Sequence, residues 1–176
     1  ASGKVKRAAL EGLTEMRQPA FSPDGKKVAF VGMNGGFNDL YEVPLDLLSQ
    51  GGELPFSAAA RLTESAQDES SPSYSPDGKT LAYSCEVENP GGPARALCEL
   101  RPGETPVIEP AAGGSVYDPV YSADGTGIYF IGDAGDNFEL YLRDRASGSV
   151  SRLTRSLGGV FNPAVSKDKI YFSAFR

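Results

Sequence analysis

Three sets of side chains in this 176-residue chain have types and spacing that can carry chemistry: four aspartates, two cysteines and the polar residues that precede four of the prolines. Asp24, Asp77, Asp124 and Asp168 have the chemistry of acids, bases or cation ligands, yet the sequence contains no His to work with them. A Ser or Cys hydrolase that relies on imidazole, a His general base and a His-ligated zinc are therefore excluded within the chain. No Gly-x-Ser-x-Gly turn presents a nucleophilic Ser. The stretch Asp133-Ala134-Gly135-Asp136-Asn137 resembles the start of a calcium loop, but the later Gly and bidentate Glu are missing, so a hairpin turn is expected there and no metal site. With 17 basic and 23 acidic residues the net charge is −6, which repels a nucleic-acid backbone. The short basic triplet Lys4, Lys6 and Arg7 reads as a solvated strand face. No run of about 18 apolar residues is present, so no membrane span is expected. The chain opens at Ala1 without Met or a signal-like apolar segment and is expected to be a processed or excised piece.

The elements that position these residues repeat. Gln18-Pro19-Ala20-Phe21-Ser22-Pro23-Asp24-Gly25 returns as Ser71-Pro72-Ser73-Tyr74-Ser75-Pro76-Asp77-Gly78 and as Asp118-Pro119-Val120-Tyr121-Ser122-Ala123-Asp124-Gly125. A shortened copy reads Asn162-Pro163-Ala164-Val165-Ser166-Lys167-Asp168-Lys169. The anchoring prolines are 53, 47 and 44 residues apart. Each full copy is followed by Asp39-Leu40-Tyr41, Ala96-Leu97-Cys98 or Glu139-Leu140-Tyr141. Then comes Arg61-Leu62-Thr63, a degenerate Val107-Ile108-Glu109, or Arg152-Leu153-Thr154. Ser-Pro-Asp-Gly fits a type I turn, with Pro presetting φ, Asp capping the backbone and Gly accepting positive φ. All four aspartates are thereby expected to be turn caps, not catalysts. The alternating runs Val28/Phe30, Leu81/Tyr83 and Ile128/Phe130 read as strands with one buried face.

Four antiparallel strands every ~45 residues, in a chain whose 21 Gly and 13 Pro exclude a helical bundle, make an all-β propeller pattern. The repeats fall near 17–63, 70–109, 117–154 and 161–176, about three full blades and a partial fourth in a single domain spanning 1–176. An N-terminal strand over 4–14, ending in Gly12-Leu13-Thr14, is a candidate to complete a blade. Two arrangements follow, a small ring closed by that strand or, favoured here, an incomplete larger ring. In the second, Ile170, Phe172 and Phe175 lack an internal partner, and a homodimer or the missing remainder of a larger propeller is expected to cover them.

Aligning the repeats places Cys85 with Gly32 and Gly132, and Cys98 with Tyr41 and Tyr141. A hairpin centred between Gly91 and Gly92 sets the two cysteines directly opposite, within reach of a disulfide at a non-hydrogen-bonded pair. A bridge implies an oxidising compartment, and two buried thiols are the alternative. The residues before the prolines, Gln18, Ser71, Asp118 and Asn162, are all polar and stand where the chain begins each innermost strand. With Arg17, Glu69, Ser70, Tyr117 and Phe161 they are expected to rim the central channel, either to grip a peptide or protein loop or to solvate the opening.

The pattern Pro-x-aromatic-Ser-Pro-Asp-Gly, then Leu-Tyr, then Arg-Leu-Thr resembles the TolB-type, or WD-like, β-propeller repeat over about residues 12–172. Departures are Ala123 for Pro, the absent Gly in Ser166-Lys167-Asp168-Lys169 and the lost Arg-Leu-Thr of the second repeat. The resemblance implies a non-enzymatic binding or scaffold module, periplasmic or secreted, that recognises a protein or peptide without a cofactor. The alternatives are an accessory propeller of a larger prolyl-oligopeptidase-like hydrolase and a carbohydrate-binding propeller.

Overall fold

The turns close as their chemistry requires. Gly25, Gly78 and Gly125 donate from N–H to the carbonyls of Ser22, Ser75 and Ser122 at 2.8–2.9 Å, each Gly with φ near 70°. Asp24 accepts from the Ser22 hydroxyl at 2.7 Å and from the Lys26 N–H at 3.0 Å, and Asp77 and Asp124 repeat the arrangement. These bonds hold the carboxyls of Asp24 and Asp77 below the ordinary range and that of Asp124 at about 2. The fourth turn differs. Ser166 pairs with Lys169, so only Lys167 and Asp168 connect the strands, and Lys167 takes the left-handed φ of 55°. Among the described residues Asp168 makes no capping bond, which corrects the expectation of four equivalent caps: the shortened loop has no Ser-to-Asp offset for it to bridge.

In the computed structural model residues 5–109, 114–135 and 137–175 are described; Lys4 of the basic triplet and Asp136 of the calcium-like loop lie outside them. After β1 (Ala8–Leu10), blade 1 comprises β2 (Glu15–Phe21), β3 (Lys27–Asn34), β4 (Phe37–Pro44) and, beyond α1 (Leu45–Gln50), β5 (Gly52–Leu54) and a 3₁₀ turn, β6 (Ala60–Arg61). Blade 2 is β7 (Glu69–Tyr74), β8 (Leu81–Val87), β9 (Ala94–Leu100) and β10 (Val107–Glu109). Blade 3 is β11 (Val116–Tyr121), β12 (Gly127–Gly132), β13 (Glu139–Asp144) and β14 (Val150–Arg152). Blade 4 has β15 (Val160–Ser166) and β16 (Lys169–Ala174). The four blade sheets are antiparallel with their strands in chain order, three of four strands and one of two, as a partial propeller requires; a separate two-stranded sheet joins β1 to β5.

The core consists of seams between successive blades. Val31 and Leu40 of blade 1 meet Tyr83, Cys85, Ala96, Cys98 and Leu100 of blade 2. Ala82 and Leu97 meet Val116, Tyr121, Ile128 and Phe130 of blade 3. Ile131 and Leu140 meet Val160, with Ile170 packed beside them. Ile170, expected to be unpartnered, thus lies in the third seam, while Phe172 and Phe175 stay exposed.

The N-terminal segment does not complete the fourth blade. β1 pairs in parallel with β5, Leu10 opposite Leu54, and together with Leu13, Leu45, Leu48 and Phe56 it covers the leading face of blade 1 formed by Val28, Phe30, Tyr41 and Val43. Burial of that apolar face is the reason: the insertion between β4 and β6 supplies an edge for β1 where it stands, and the two exposed strands of blade 4 belong to the opposite end of the stack.

Candidate functional site

Each innermost strand begins with an irregularity. The register slips between Arg17 and Ala20, Ser70 and Ser73, Tyr117 and Val120, and Phe161 and Ala164. At each slip the residue before the proline is left-handed: Gln18 at φ 53°, Ser71 at 54°, Asp118 at 47° and Asn162 at 52°. Non-Gly residues rarely adopt this region, and a following Pro, which has no N–H to give the ladder, leaves the bulge as the workable solution. In the first three blades the side chains at these bulges lie close enough to meet.

There they form a hydrogen-bonded row across three blades. Gln18 Nε2 donates to Ser71 Oγ at 3.2 Å and Gln18 Oε1 accepts from Ser71 N at 3.0 Å; Ser71 Oγ donates to Asp118 Oδ1 at 2.7 Å. Asn162 is exposed and joins no such bond among the described residues. The row borders a depression of about 420 Å³ whose walls include Arg17, Ser70, Asp68, Arg95, Tyr117 and Phe161. Tyr117 packs edge-on to Phe138 at 5.6 Å, and Phe138 lies 5.4 Å from Phe161. The Tyr117 hydroxyl donates to Asp133 at 3.1 Å, and Ser115 N also bonds that carboxylate. Asp133, the first residue of the calcium-like stretch, therefore positions an aromatic wall. No cluster of three or more His, Cys, Asp or Glu suited to a metal exists among the described residues.

Of the residues expected around the channel, Arg17, Gln18, Ser71, Tyr117, Asp118 and Phe161 come together, Asn162 stands apart and Glu69 is misplaced. Glu69 is only 3% exposed and turned into the first seam, where its carboxylate accepts from Thr63 Oγ1 and Ser65 Oγ at 2.8 Å each. Burial pushes its carboxyl up to about 7 against the lowering effect of those two hydroxyls. Strand alternation is the reason: Glu69 sits one residue before Ser70, on the opposite face, at the position that Val116 and Val160 fill in the next blades. Those two buried valines were a legible signal.

Arg95, Asp68, Ile131 and Phe138 are wall residues that the sequence reading missed. Arg95 and Phe138 occupy one repeat position, the residue before Ala96-Leu97-Cys98 and before Glu139-Leu140-Tyr141. Asn38 holds the same place in blade 1 and donates to Asp68 Oδ1 at 2.9 Å. Alignment of that column would have found Arg95 and Phe138; Asp68 is found through its bond to Asn38 only once the blades are stacked.

The cysteines form a disulfide, with Cα atoms 6.0 Å apart. They are diagonal, not opposite: Cys98 faces Tyr83, and Cys85 faces Ala96. The hairpin is centred one residue earlier than the Gly91–Gly92 midpoint, so the bridge spans neighbouring pairs. In blades 1 and 3 the same diagonal is filled by a Tyr ring lying over a Gly. A Cβ on Gly32 would stand 2.8 Å from the Tyr41 ring, and one on Gly132 would stand 2.9 Å from that of Tyr141.

No protein-family model matches the chain. A TolB homolog of Chlorobium chlorochromatii is 31% identical over 148 residues, which is 82% of this chain and 30% of that protein. The crystal structure of TolB from Acinetobacter baumannii superposes with a TM-score of 0.61 at 26% identity, over 82% of this chain and 33% of that one. The chain belongs to the TolB-type β-propeller repeat family. It spans about a third of the length of these TolB relatives. The blade architecture is shared more widely: puromycin hydrolase superposes at a TM-score of 0.70 with 14% identity, covering 93% of this chain and 26% of the hydrolase, a likeness of fold alone.

Proposed function

We propose that this TolB-type chain is a non-enzymatic binding module of the cell envelope or secreted space that holds a protein or peptide segment at the channel mouth. The observation that carries the reading is the set of four left-handed polar residues at equivalent bulges. Three of them are linked by hydrogen bonds beside the aromatic wall of Tyr117, Phe138 and Phe161. Backbone held in a sparsely populated region, with three of the four residues lining a common depression, suits recognition better than mere solvation of an opening. The disulfide supports an oxidising location. The exposed edge of blade 4 is where the rest of the ring, or a second copy, would pack.

The test is to pan a displayed library of random peptides on the protein and to repeat the binding with Tyr117→Ala and Ser71→Ala. Recovered peptides should lose at least about tenfold in affinity on either variant, as truncated contacts at a small site do. Peptides that bind both variants as well as the unaltered protein would place recognition elsewhere and sink the reading. The second reading, an accessory propeller of a larger hydrolase, is supported by the superposition on puromycin hydrolase, and a catalytic domain encoded in the same open reading frame would favour it.

A further inference from the structure

Arginines at the seams meet carboxylates. Arg61 pairs with Asp39, Arg143 with Glu109, Arg145 with Glu99 and Arg152 with Glu139. Arg95 is the exception among the half-buried arginines. It lines the mouth, and among the described residues no carboxylate forms an ion pair with it. Its guanidinium is nonetheless fixed: Nε donates to Ser84 Oγ at 2.8 Å, and Nη2 donates to Ser70 Oγ at 2.7 Å and to the Asp68 carbonyl at 3.3 Å. Ser84 Oγ in turn donates to the Val116 carbonyl at 2.7 Å, tying the anchor to blade 3. Nη1 has no protein partner among the described residues.

A guanidinium held by one edge, partly removed from water and with no carboxylate at ion-pair distance among the described residues, is a pre-organised receptor for an oxygen anion; Asp68 and Asp118 line the same depression without pairing to it. The bonds that fix its plane have already been made, and burial without a counter-ion leaves a cost that an incoming carboxylate relieves. The rest of the mouth sets what must accompany that carboxylate. Tyr117, Phe138 and Phe161 offer apolar ring surface, and Phe138 stands at the repeat position of Arg95 one blade on. Asp118, held by Ser71, carries negative charge on the polar rim and disfavours a second acid there.

We propose that the mouth recognises a carboxylate through Arg95, next to an aromatic or branched aliphatic side chain seated on the Tyr117–Phe138–Phe161 wall. This rests on the reading of the mouth as a peptide site and names the chemistry of the segment it takes. An acidic side group and a free peptide terminus present the same carboxylate.

Peptides recovered by panning are synthesised with amidated C-termini, each beside a copy in which Glu or Asp becomes Gln or Asn. A free-acid series carries no acidic side group. Affinities are measured on the unaltered protein, on Arg95→Gln and on Arg95→Lys. On the unaltered protein the loss of the acid should weaken binding by about tenfold, and on Arg95→Gln by less than about twofold, with Lys recovering part of the difference. Arg95 also braces Ser84 and Ser70, so melting temperatures accompany each variant. A purely structural Arg95 would weaken the acidic and neutral peptides of a pair equally, and that result overturns the proposal. So does enrichment of neutral or basic peptides on the unaltered protein, a result that does not depend on any variant folding. Tight binding of the free-acid series supports the carboxylate and assigns it to a C-terminus; retention only by amidated acidic peptides assigns it to an acidic residue. Failure to recover any peptide sensitive to Tyr117→Ala sinks the mouth reading itself and this inference with it.

Discussion

The first and third seams are built from the same repeat by different means. At the first, the Tyr74 hydroxyl donates to Glu42 of blade 1 at 2.6 Å, Glu42 also accepts from Lys27 at 2.7 Å, and Pro23 lies over Gly78. The second seam repeats this with Tyr121 on Glu99 and Pro76 over Gly125. At the third, the corresponding residues are Val165 for Tyr, Leu142 for Glu, Ala123 for Pro and the two-residue turn for Gly. The side chains that join blade 4 to blade 3 are apolar, Val160, Ile170 and the rings of Phe138 and Phe161, beside one backbone bond from Val160 N to the Phe138 carbonyl at 2.9 Å.

The buried acids show the same shift. In blade 1 Asp39 takes Arg61 at 2.6 Å and Ser65 N at 3.3 Å but not the Thr63 hydroxyl, which bonds Glu69 of blade 2 across the seam together with Ser65 Oγ. In blade 3 Glu139 is one methylene longer. It takes Arg152 at 2.9 Å, Thr154 Oγ1 and Ser156 N by itself, and the crossing position becomes Val160. One side-chain length decides whether a seam carries a buried polar bridge or an apolar contact. The electrostatics follow: burial raises the Glu69 carboxyl, whereas at Glu139 burial is outweighed by Thr154, Ser156 and Arg152, which hold it below the ordinary range.

The largest effect that sharpens this comparison is at the wall of the first seam. Replacing Cys85 and Cys98 together by Ser should cost about 3 kcal/mol, the scale for a loop of this length, measured by denaturant unfolding. The pair Cys85→Gly with Cys98→Tyr should recover part of that loss by rebuilding the ring-over-Gly diagonal of the flanking blades. If the Gly/Tyr pair unfolds before the Ser pair, the equivalence of the diagonals is wrong.

Next comes Glu69→Gln. Its folded carboxyl titrates near 7 against an ordinary 4.5, so the folded state binds the proton more tightly than the unfolded chain. Stability therefore falls as pH rises from about 4.5 to about 7 and stays reduced above that. Glu69→Gln should remove this loss, unfolding later than the parent by on the order of 2 kcal/mol at pH 8 and not at pH 4. Glu139 contributes in the opposite sense, adding stability above its ordinary titration range that is lost as pH falls. If the parent instead gained stability relative to Glu69→Gln between pH 5 and 7, the contrast between the two acids would break.

The smallest effect compares turns. Asp24→Ala should lower the melting temperature through loss of its turn cap, and Asp168→Ala should leave it unchanged, as read from paired melting curves. Equal losses would restore the fourth turn to the regular class.

Much of the blade plan was legible because it is local. The Pro-Asp-Gly turns, the alternation Val28/Phe30 and the spacing of the anchoring prolines each involve residues a few positions apart, and period-two alternation and turn chemistry act over that range. The mouth was legible in part. The repeat placed Gln18, Ser71 and Asp118 at one position, but it did not reveal that a bulge there turns them left-handed and links them, since that depends on register with the second strand. Glu69 was assigned to the wrong side because one residue of offset exchanges the two faces of a strand.

By itself the sequence determined the all-β class and, of the four turn caps it implied, the three at Asp24, Asp77 and Asp124, because those follow from neighbours along the backbone. Only the tertiary structure decided which long-range partner each exposed group takes. It set β1 on β5 instead of on blade 4, aligned Cys85 diagonally to Cys98, turned Glu69 into the first seam and left Arg95 at the mouth without a carboxylate. The physical reason is common to all four: such pairings are selected by which apolar faces must be covered and which buried charges must be matched, and those demands exist only once the blades have stacked.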